Sequence, residues 1–80
     1  MNKVYDNGGV LIGNIDLVIE IVKKTIEKDI DMVFIDRDEL LKDLLELKNN
    51  TKAEIVYINY DCGINYSMNY WCKEDEIKEI

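Results

Sequence analysis

The pattern of residues between positions 53 and 72, in which one set of alternate residues is uniformly apolar and aromatic, constrains the fold of this chain more than any other feature. It predicts two strands, over residues 53–60 and 64–72, joined by a three-residue loop at Asp61-Cys62-Gly63 with the glycine in the left-handed conformation. A slip of one residue would mix the apolar face with the polar face, so the pattern predicts an antiparallel pair with one core-facing side. In this register the core-facing side contains Val56, Ile58 and Tyr60, which lie opposite Met68, Tyr66 and Ile64, respectively.

The second face of the predicted hairpin combines aromatic rings with amides. Tyr and Trp supply a large contact area at a low entropic cost, and Asn supplies adaptable hydrogen bonds, as in many protein-binding surfaces. Alternation by itself does not decide which face the helices cover, so burial of this face in the core is the alternative. The candidate partner-binding residues of the hairpin are Tyr57, Asn59, Asn65, Asn69 and Trp71.

Two segments have the periodicity of amphipathic helices. Gly13-Asn14 opens the first, over residues 15–28, and the second runs over residues 37–48 with Asn49-Asn50 as its stop. The apolar face of the first helix consists of Ile15, Val18, Ile19, Val22 and Ile26, widened by Leu17 and Ile21. The core stripe of the second consists of Leu40, Leu41, Leu44, Leu45 and Leu47.

Two further strand signals complete the predicted order ββ-α-β-α-β-β. The turn Asp6-Asn7-Gly8-Gly9 separates residues 3–5 from residues 10–12, and the apolar run 32–35 is typical of a strand buried on both faces. Helical crossovers imply parallel neighbours. A chain of 80 residues makes one domain with a thin core. We therefore expect a single α/β (α+β) domain over residues 1–80, in which two helices pack on one mixed sheet of four or five strands. Residues 73–80 are expected to form a tail that either adopts one helical turn or frays.

The charge balance restricts the function. The chain has 17 Asp and Glu against 10 Lys and Arg, no histidine and a net charge of −7. Such a protein repels nucleic acid and anionic lipid and attracts basic protein surfaces. The missing histidine removes the commonest general base and the commonest neutral metal ligand. We expect a protein that catalyses nothing, has no cofactor or metal, contacts neither nucleic acid nor membrane directly, and resides in the cytosol of its own cell or of a host.

Seven carboxylates are concentrated in one third of the chain, with only Arg37 and Lys42 among them. A strip of this kind can imitate a phosphate backbone and occupy the basic cleft of a protein that handles nucleic acid. The alternative is a solvated face that keeps a small protein soluble. The acidic candidates for partner binding are Asp29, Asp31, Asp36, Asp38, Glu39, Asp43 and Glu46.

Asp36-Arg37-Asp38 follows the apolar run directly. An apolar strand that ends in Asp-x-Asp resembles the first motif of the haloacid-dehalogenase phosphatases. The resemblance implies that Asp36 attacks phosphorus and that Asp38 acts as acid and base beside Mg²⁺. It covers residues 33–39, and Glu39-Leu40 replaces the Gly-Thr of that family. The interpretation that we favour makes Asp36 the N-cap of the second helix, with Glu39 completing a capping box.

Cys62 and Cys72 are the only cysteines, too few for a disulfide framework or for a four-ligand zinc site without histidine. The predicted register places Cys72 opposite Lys52, so we expect two reduced thiols and no internal disulfide.

Three functional hypotheses follow. The first is a non-enzymatic inhibitor or adaptor of the kind carried by phages and mobile elements, a DNA mimic that occludes the basic nucleic-acid-binding surface of a host nuclease or defence complex. The second is a homodimeric or larger accessory subunit that associates through the wide apolar arc of the first helix and the strand at 32–35. The third is a small Mg²⁺-dependent phosphohydrolase that uses Asp36 and Asp38.

Overall fold

The computed structural model describes residues 4–6, 8–28, 36–62 and 65–72, and of residues 61, 62 and 65 it describes the backbone. Six elements lie in this part of the chain. In order they are β1 (Tyr5–Asp6), β2 (Val10–Asn14), α1 (Ile15–Glu27), α2 (Arg37–Asn50), β3 (Ile55–Cys62) and β4 (Asn65–Trp71).

The described elements form two layers, with two helices packed on one four-stranded sheet, which confirms the predicted α+β class. The strand order is β1-β2-β3-β4, and every pairing among the described strands is antiparallel. The core lies between the layers because alternate strand residues point to one side and meet the apolar faces of both helices. Its buried members are Leu11, Ile15, Val18, Ile19, Val22, Leu40, Leu44, Ala53, Val56 and Ile58.

The order of the described elements, ββ-α-α-ββ, differs from the predicted order at one place. The strand predicted at 32–35, which would stand between the helices and supply the parallel neighbours of a mixed sheet, lies outside the described residues. β2 and β3 are adjacent and antiparallel. Two antiparallel helices connect β2 to β3, so β3 runs in the direction opposite to β2. The parallel neighbours that helical crossovers would produce are therefore not needed to join these two strands.

The first hairpin is confirmed, with a shift of its first strand. β1 begins at Tyr5 and pairs with β2 through Tyr5↔Ile12 and Asp6↔Leu11. Gly8 and Gly9 lie between the strands with φ of 55° and 102°. Residues with a Cβ rarely adopt such values, so these glycines allow the chain to reverse there.

The second hairpin has the predicted faces in a different register. Ile58 pairs with Met68 and Val56 with Tyr70, two residues away from the predicted alignment. The strands continue to pair as far as Cys62↔Asn65, past an irregularity between Asn59 and Cys62, so the predicted three-residue loop is wrong. A shift by two leaves every side chain on its own face, and the hydrophobic pattern therefore cannot distinguish these registers.

Each helix begins at a side-chain cap. Asn14 Oδ1 accepts hydrogen bonds from the backbone N–H groups of Asp16 (2.9 Å) and Leu17 (3.4 Å), which starts α1 where the sequence predicts it. Asp36 Oδ1 accepts from Asp38 N–H (3.0 Å) and Glu39 N–H (3.2 Å), which confirms the N-cap of α2. These caps satisfy backbone donors that have no partner within the helix.

The helices bury a narrower stripe than the sequence predicts. Leu17 of α1 is 39 % exposed and Leu45 of α2 is 38 % exposed, whereas Val18 and Leu44 beside them are fully buried. At 100° per residue Leu17 and Leu45 lie well away from the centres of the buried stripes, and the single sheet leaves that side of each helix to solvent.

Candidate functional site

The predicted acidic residues that the structure describes lie on or beside α2, in the helix layer. Asp36, Asp38, Glu39 and Glu46 are exposed, and Asp43 is half-buried. We call these five residues the acidic helix surface. Asp29 and Asp31, which the sequence analysis adds to this set, lie outside the described residues.

Two cations of α2 contact α1. The Arg37 guanidinium donates from Nη1 to the backbone carbonyl of Thr25 (2.8 Å), and the Lys48 ammonium forms an ion pair with Asp16. These contacts also fix the antiparallel arrangement, because each joins the start of one helix to the end of the other. The exposed residues of α2 therefore include these carboxylates together with Lys42 and Lys48, of which Lys48 is paired with Asp16.

The Tyr66 hydroxyl shows how closely these carboxylates approach β4. It donates a hydrogen bond to Asp43 Oδ2. Burial raises the pKa of Tyr66 well above its ordinary value, and the hydrogen bond to Asp43 and the negative charges of Asp43, Glu39 and Asp36 raise it further. Three members of the acidic helix surface thus act on one phenol, and the edge of α2 above β4 is a region of negative potential.

The aromatic and amide candidates lie on the other side of the sheet. Tyr57 pairs directly with Asn69, and the ring of Tyr57 meets the ring of Trp71 edge to face, with centroids 6.4 Å apart and planes at 89°. Ser67 and Asn69 are exposed, and Tyr57, Asn59 and Trp71 are half-buried. Asn65 begins β4, but its side chain is not described. We call the sheet face that carries these residues the outer sheet face.

The structure decides the question that alternation leaves open. Val56, Ile58, Tyr60, Tyr66 and Met68 pack toward the helices, so the other described candidates of the hairpin belong to the opposite face, namely Tyr57, Asn59, Asn69 and Trp71. The acidic helix surface and the outer sheet face are therefore separated by the thickness of two layers. A partner that binds one of them by a flat contact does not reach the other.

The outer sheet face is larger than the hairpin alone. The pairings Tyr5↔Ile12 and Ile12↔Tyr57 extend the row of Tyr57 and Asn69 to the far edge of the sheet. Tyr5 is 56 % exposed. The sequence gives no direct sign that Tyr5, Val10 and Ile12 belong to this face, because the pairing of β2 with β3 joins distant parts of the chain. The alternation of Val10 and Ile12 with Leu11 was the available signal.

Asp36 and Asp38 both stabilise the N-terminus of α2. Asp36 caps the helix, and Asp38 in the first turn lies at the positive end of the helix dipole. Among the described residues, no group of three or more carboxylate or cysteine side chains is arranged to hold a metal ion.

Cys72 forms no disulfide bond. The pairing of β3 with β4 is shifted by two residues from the predicted register, so the prediction that Cys72 lies opposite Lys52 is wrong. In the observed register the Glu54 N–H donates a hydrogen bond to the Trp71 carbonyl (2.9 Å).

Neither helix in the described part of the chain has the length and hydrophobicity needed to cross a membrane. Comparison with protein-family models, with curated proteins and with solved structures finds no match for the chain. Inferences about function therefore depend on the two surfaces themselves.

Proposed function

We propose that this chain is a non-enzymatic protein-binding module whose acidic helix surface occupies the basic, nucleic-acid-binding groove of a partner protein. The partner is of the type of a host nuclease or defence complex, and the chain acts on it as an inhibitor or adaptor of the kind that phages and mobile elements carry. The observation that carries this proposal is the arrangement of charge on α2, where carboxylates are exposed while Arg37 and Lys48 are engaged with α1.

The number of these carboxylates per length of helix is close to the number of phosphates per length of a nucleic-acid strand. From Asp36 to Glu46 the helix axis advances about 15 Å, at roughly 1.5 Å per residue. One strand of DNA places about one phosphate per 3.4 Å of helix axis, so about four phosphates occupy the same length. The exposed carboxylates over this length are Asp36, Asp38, Glu39 and Glu46. Lys and Arg side chains that line a phosphate groove can pair with charges of this density.

The mechanism is occlusion. Carboxylates on a rigid helix meet the cations of the groove, and nucleic acid is excluded because the two ligands need the same cations. The helix is held in place by its cap at Asp36, by the Arg37 contact to Thr25 and by the bond between Tyr66 and Asp43. The outer sheet face lies on the opposite layer, so it does not contribute to this contact.

The test compares two triple variants of equal charge. Asp38→Asn, Glu39→Gln and Glu46→Gln together remove three charges from the acidic helix surface and leave the Asp36 cap intact. The control, Glu20→Gln, Glu27→Gln and Glu54→Gln, removes three exposed carboxylates elsewhere. A partner captured from host lysate is purified, and its affinity is measured with the wild-type chain and both variants from 50 to 200 mM salt.

We expect the α2 variant to weaken binding at least about tenfold, which corresponds to about 1.4 kcal/mol, and the control to change it far less. Affinity should fall as salt screens the contact, and a DNA oligonucleotide should displace the chain from the partner. Equal losses in both variants, or no competition by DNA, would contradict the proposal. Turnover of a phosphorylated compound that Asp36→Asn abolishes would overturn its non-enzymatic part.

A further inference from the structure

Strand β4 forms an edge of the described sheet that is long and uncharged. The strand order β1-β2-β3-β4 gives β4 one neighbour among the described strands, β3. Alternate residues of an edge strand direct their backbone N–H and C=O groups away from the sheet, where they can pair with another extended chain. Proteins commonly protect such an edge with a very short strand, a lysine or a proline. The opposite edge, β1, has two residues, whereas β4 has seven and none of them is charged or a proline.

The helix layer covers the side chains of β4 incompletely. Tyr66, Met68 and Tyr70 occupy alternate positions on the side of β4 that faces the helices, and Tyr70 is 45 % exposed while the other two are half-buried. The residues of β3 that pair with Met68 and Tyr70 are Ile58 and Val56, which are completely buried. A strand added beside β4 can therefore place its own side chains against this partly covered row.

Charge selects the occupant of the edge. The Tyr66 hydroxyl donates to Asp43, so α2 passes close to β4. Glu39 and Glu46 lie four residues before and three residues after Asp43, hence on the same side of α2, and both are exposed. Burial and the bond to Asp43 raise the pKa of Tyr66, and the charges of Asp43 and Glu39 raise it further, so these carboxylates act at β4.

These carboxylates disfavour a second copy of this chain as the occupant. A copy paired antiparallel through the same edge would bring its own α2 beside this one, and the two sets of like charges would repel each other. A segment with lysine or arginine side chains would instead be attracted, because its cations face carboxylates.

We propose that the outer edge of β4 binds an extended, basic segment of a partner protein, which adds a strand to the sheet beside α2. Alternate lysine or arginine side chains of that segment face α2, where their aliphatic stems contact Met68 and Tyr70 and their cations pair with Glu39 and Glu46. The main-chain hydrogen bonds to β4 supply affinity, as in other strand additions. Strand pairing uses the backbone of β4, which the occlusion mechanism does not use, so this proposal does not depend on the proposed function.

The probe is a synthetic peptide of about seven residues, the length of β4, with lysine and threonine at alternating positions and blocked termini. It is titrated into the full isotope-labelled chain and followed by NMR. Amides at alternate positions of β4 should exchange rapidly with solvent in the chain alone and become protected when the peptide binds. A peptide with glutamate in place of lysine should bind at least about tenfold more weakly, which corresponds to about 1.4 kcal/mol.

Two N-methylated peptides separate strand pairing from attraction between charges. One carries the methyl groups on the lysine nitrogens of its backbone and the other on the threonine nitrogens, so only one of them blocks the N–H groups that face β4. Both peptides have the same charge. We expect one pattern to weaken binding at least about tenfold and the other to leave most of the affinity.

The carboxylates are tested by Glu39→Gln with Glu46→Gln, which leaves the Asp36 cap and the bond between Tyr66 and Asp43 intact. The control is Glu20→Gln with Glu27→Gln, two exposed carboxylates of α1. The α2 pair should weaken binding of the lysine peptide clearly more than the control.

Four outcomes would overturn the proposal. They are amides of the β4 edge that are already protected in the chain alone, a lysine peptide that does not bind at millimolar concentration, equal effects of the two N-methylation patterns or of the two variant pairs, and self-association through β4 that the peptide does not reverse.

Discussion

At the scale of single residues, Tyr66 connects the sheet to the helix layer through a hydrogen bond. Its ring packs against the core, and its hydroxyl donates to Asp43 of α2. A hydrogen bond to a charged acceptor is stronger than one between neutral groups, and it positions α2 over β4. The alternation of the sequence predicts that Tyr66 lies on the core side, but it contains no signal for the partner of its hydroxyl, because Asp43 is distant in the chain.

Replacing Tyr66 by Phe removes this hydrogen bond and keeps the ring. We expect a loss of about 1 kcal/mol in the free energy of unfolding, since the site is only half-buried and water can solvate Asp43 after the change. The control is Tyr70→Phe, which removes a hydroxyl from a side chain that is 45 % exposed on the same strand. Urea denaturation measures both, and equal small effects would show that the bond does not stabilise the fold.

The same tyrosine makes stability depend on alkaline pH. Its ordinary pKa is 10.0, and in the folded chain the pKa is higher because of burial, Asp43 and the neighbouring charges. Below pH 10 both states keep the proton and the contribution to stability is complete. As pH rises above 10 the unfolded state loses its proton first, so stability falls.

The measurable quantity is the difference in unfolding free energy between wild type and Tyr66→Phe. We expect it to shrink as pH rises from 9 to 11, because the titrations of the other groups are common to both proteins. A difference that stays constant over this range would contradict the raised pKa.

At the scale of elements, α2 shows how a helix divides its leucines between core and surface. The sequence predicts five leucines in one core stripe. The structure buries Leu40 and Leu44 completely, half-buries Leu41 and Leu47, and leaves Leu45 38 % exposed. One sheet and one neighbouring helix cover only part of the circumference, so the fifth leucine has no buried position.

Adjacent leucines provide a matched test of this division. We expect Leu44→Ala to cost about 2–5 kcal/mol, because it removes buried methyl groups and leaves a cavity. Leu45→Ala should cost less than about 1 kcal/mol, since much of that side chain is already in contact with water. Thermal or urea unfolding of the two variants measures the contrast. Similar costs would place Leu45 in the core, as the sequence predicted.

At the scale of the whole molecule, charge and aromatic surface lie on opposite layers. Carboxylates are exposed on the helices, and the outer sheet face is neutral over the side chains that the structure describes. The acidic surface proposed for a basic partner therefore does not include the rings of Tyr57 and Trp71.

A net charge of −7 on 80 residues also predicts a salt effect on stability. Repulsion between carboxylates destabilises the compact state, and salt screens it. We expect the unfolding midpoint to rise between 20 and 200 mM NaCl. The α2 triple variant, which carries three fewer negative charges, should show a smaller rise. A midpoint that falls with salt would mean that ion pairs such as Lys48 with Asp16 outweigh the repulsion.

Local patterns identify most of the fold. The periodicity of each helix, the caps at Asn14 and Asp36 and the two faces of the second hairpin follow from residues close together in the chain, and the structure confirms them. The register of that hairpin does not follow, because a shift by two preserves both faces. The members of each surface are partly predictable too, since Tyr57, Asn69 and Trp71 alternate with core residues, whereas Tyr5 and Ile12 join them only through strand pairing.

The sequence by itself determined the α+β class, the starts of both helices and the acidic charge, because each depends on neighbours along the chain or on composition. Only the tertiary structure decided which face of the hairpin the helices cover, that β2 lies beside β3, and that the carboxylates of α2 and the rings of Tyr57 and Trp71 lie on opposite layers. The physical reason is that these outcomes depend on contacts between residues distant in sequence, and the periodicity of a single segment is compatible with more than one such arrangement.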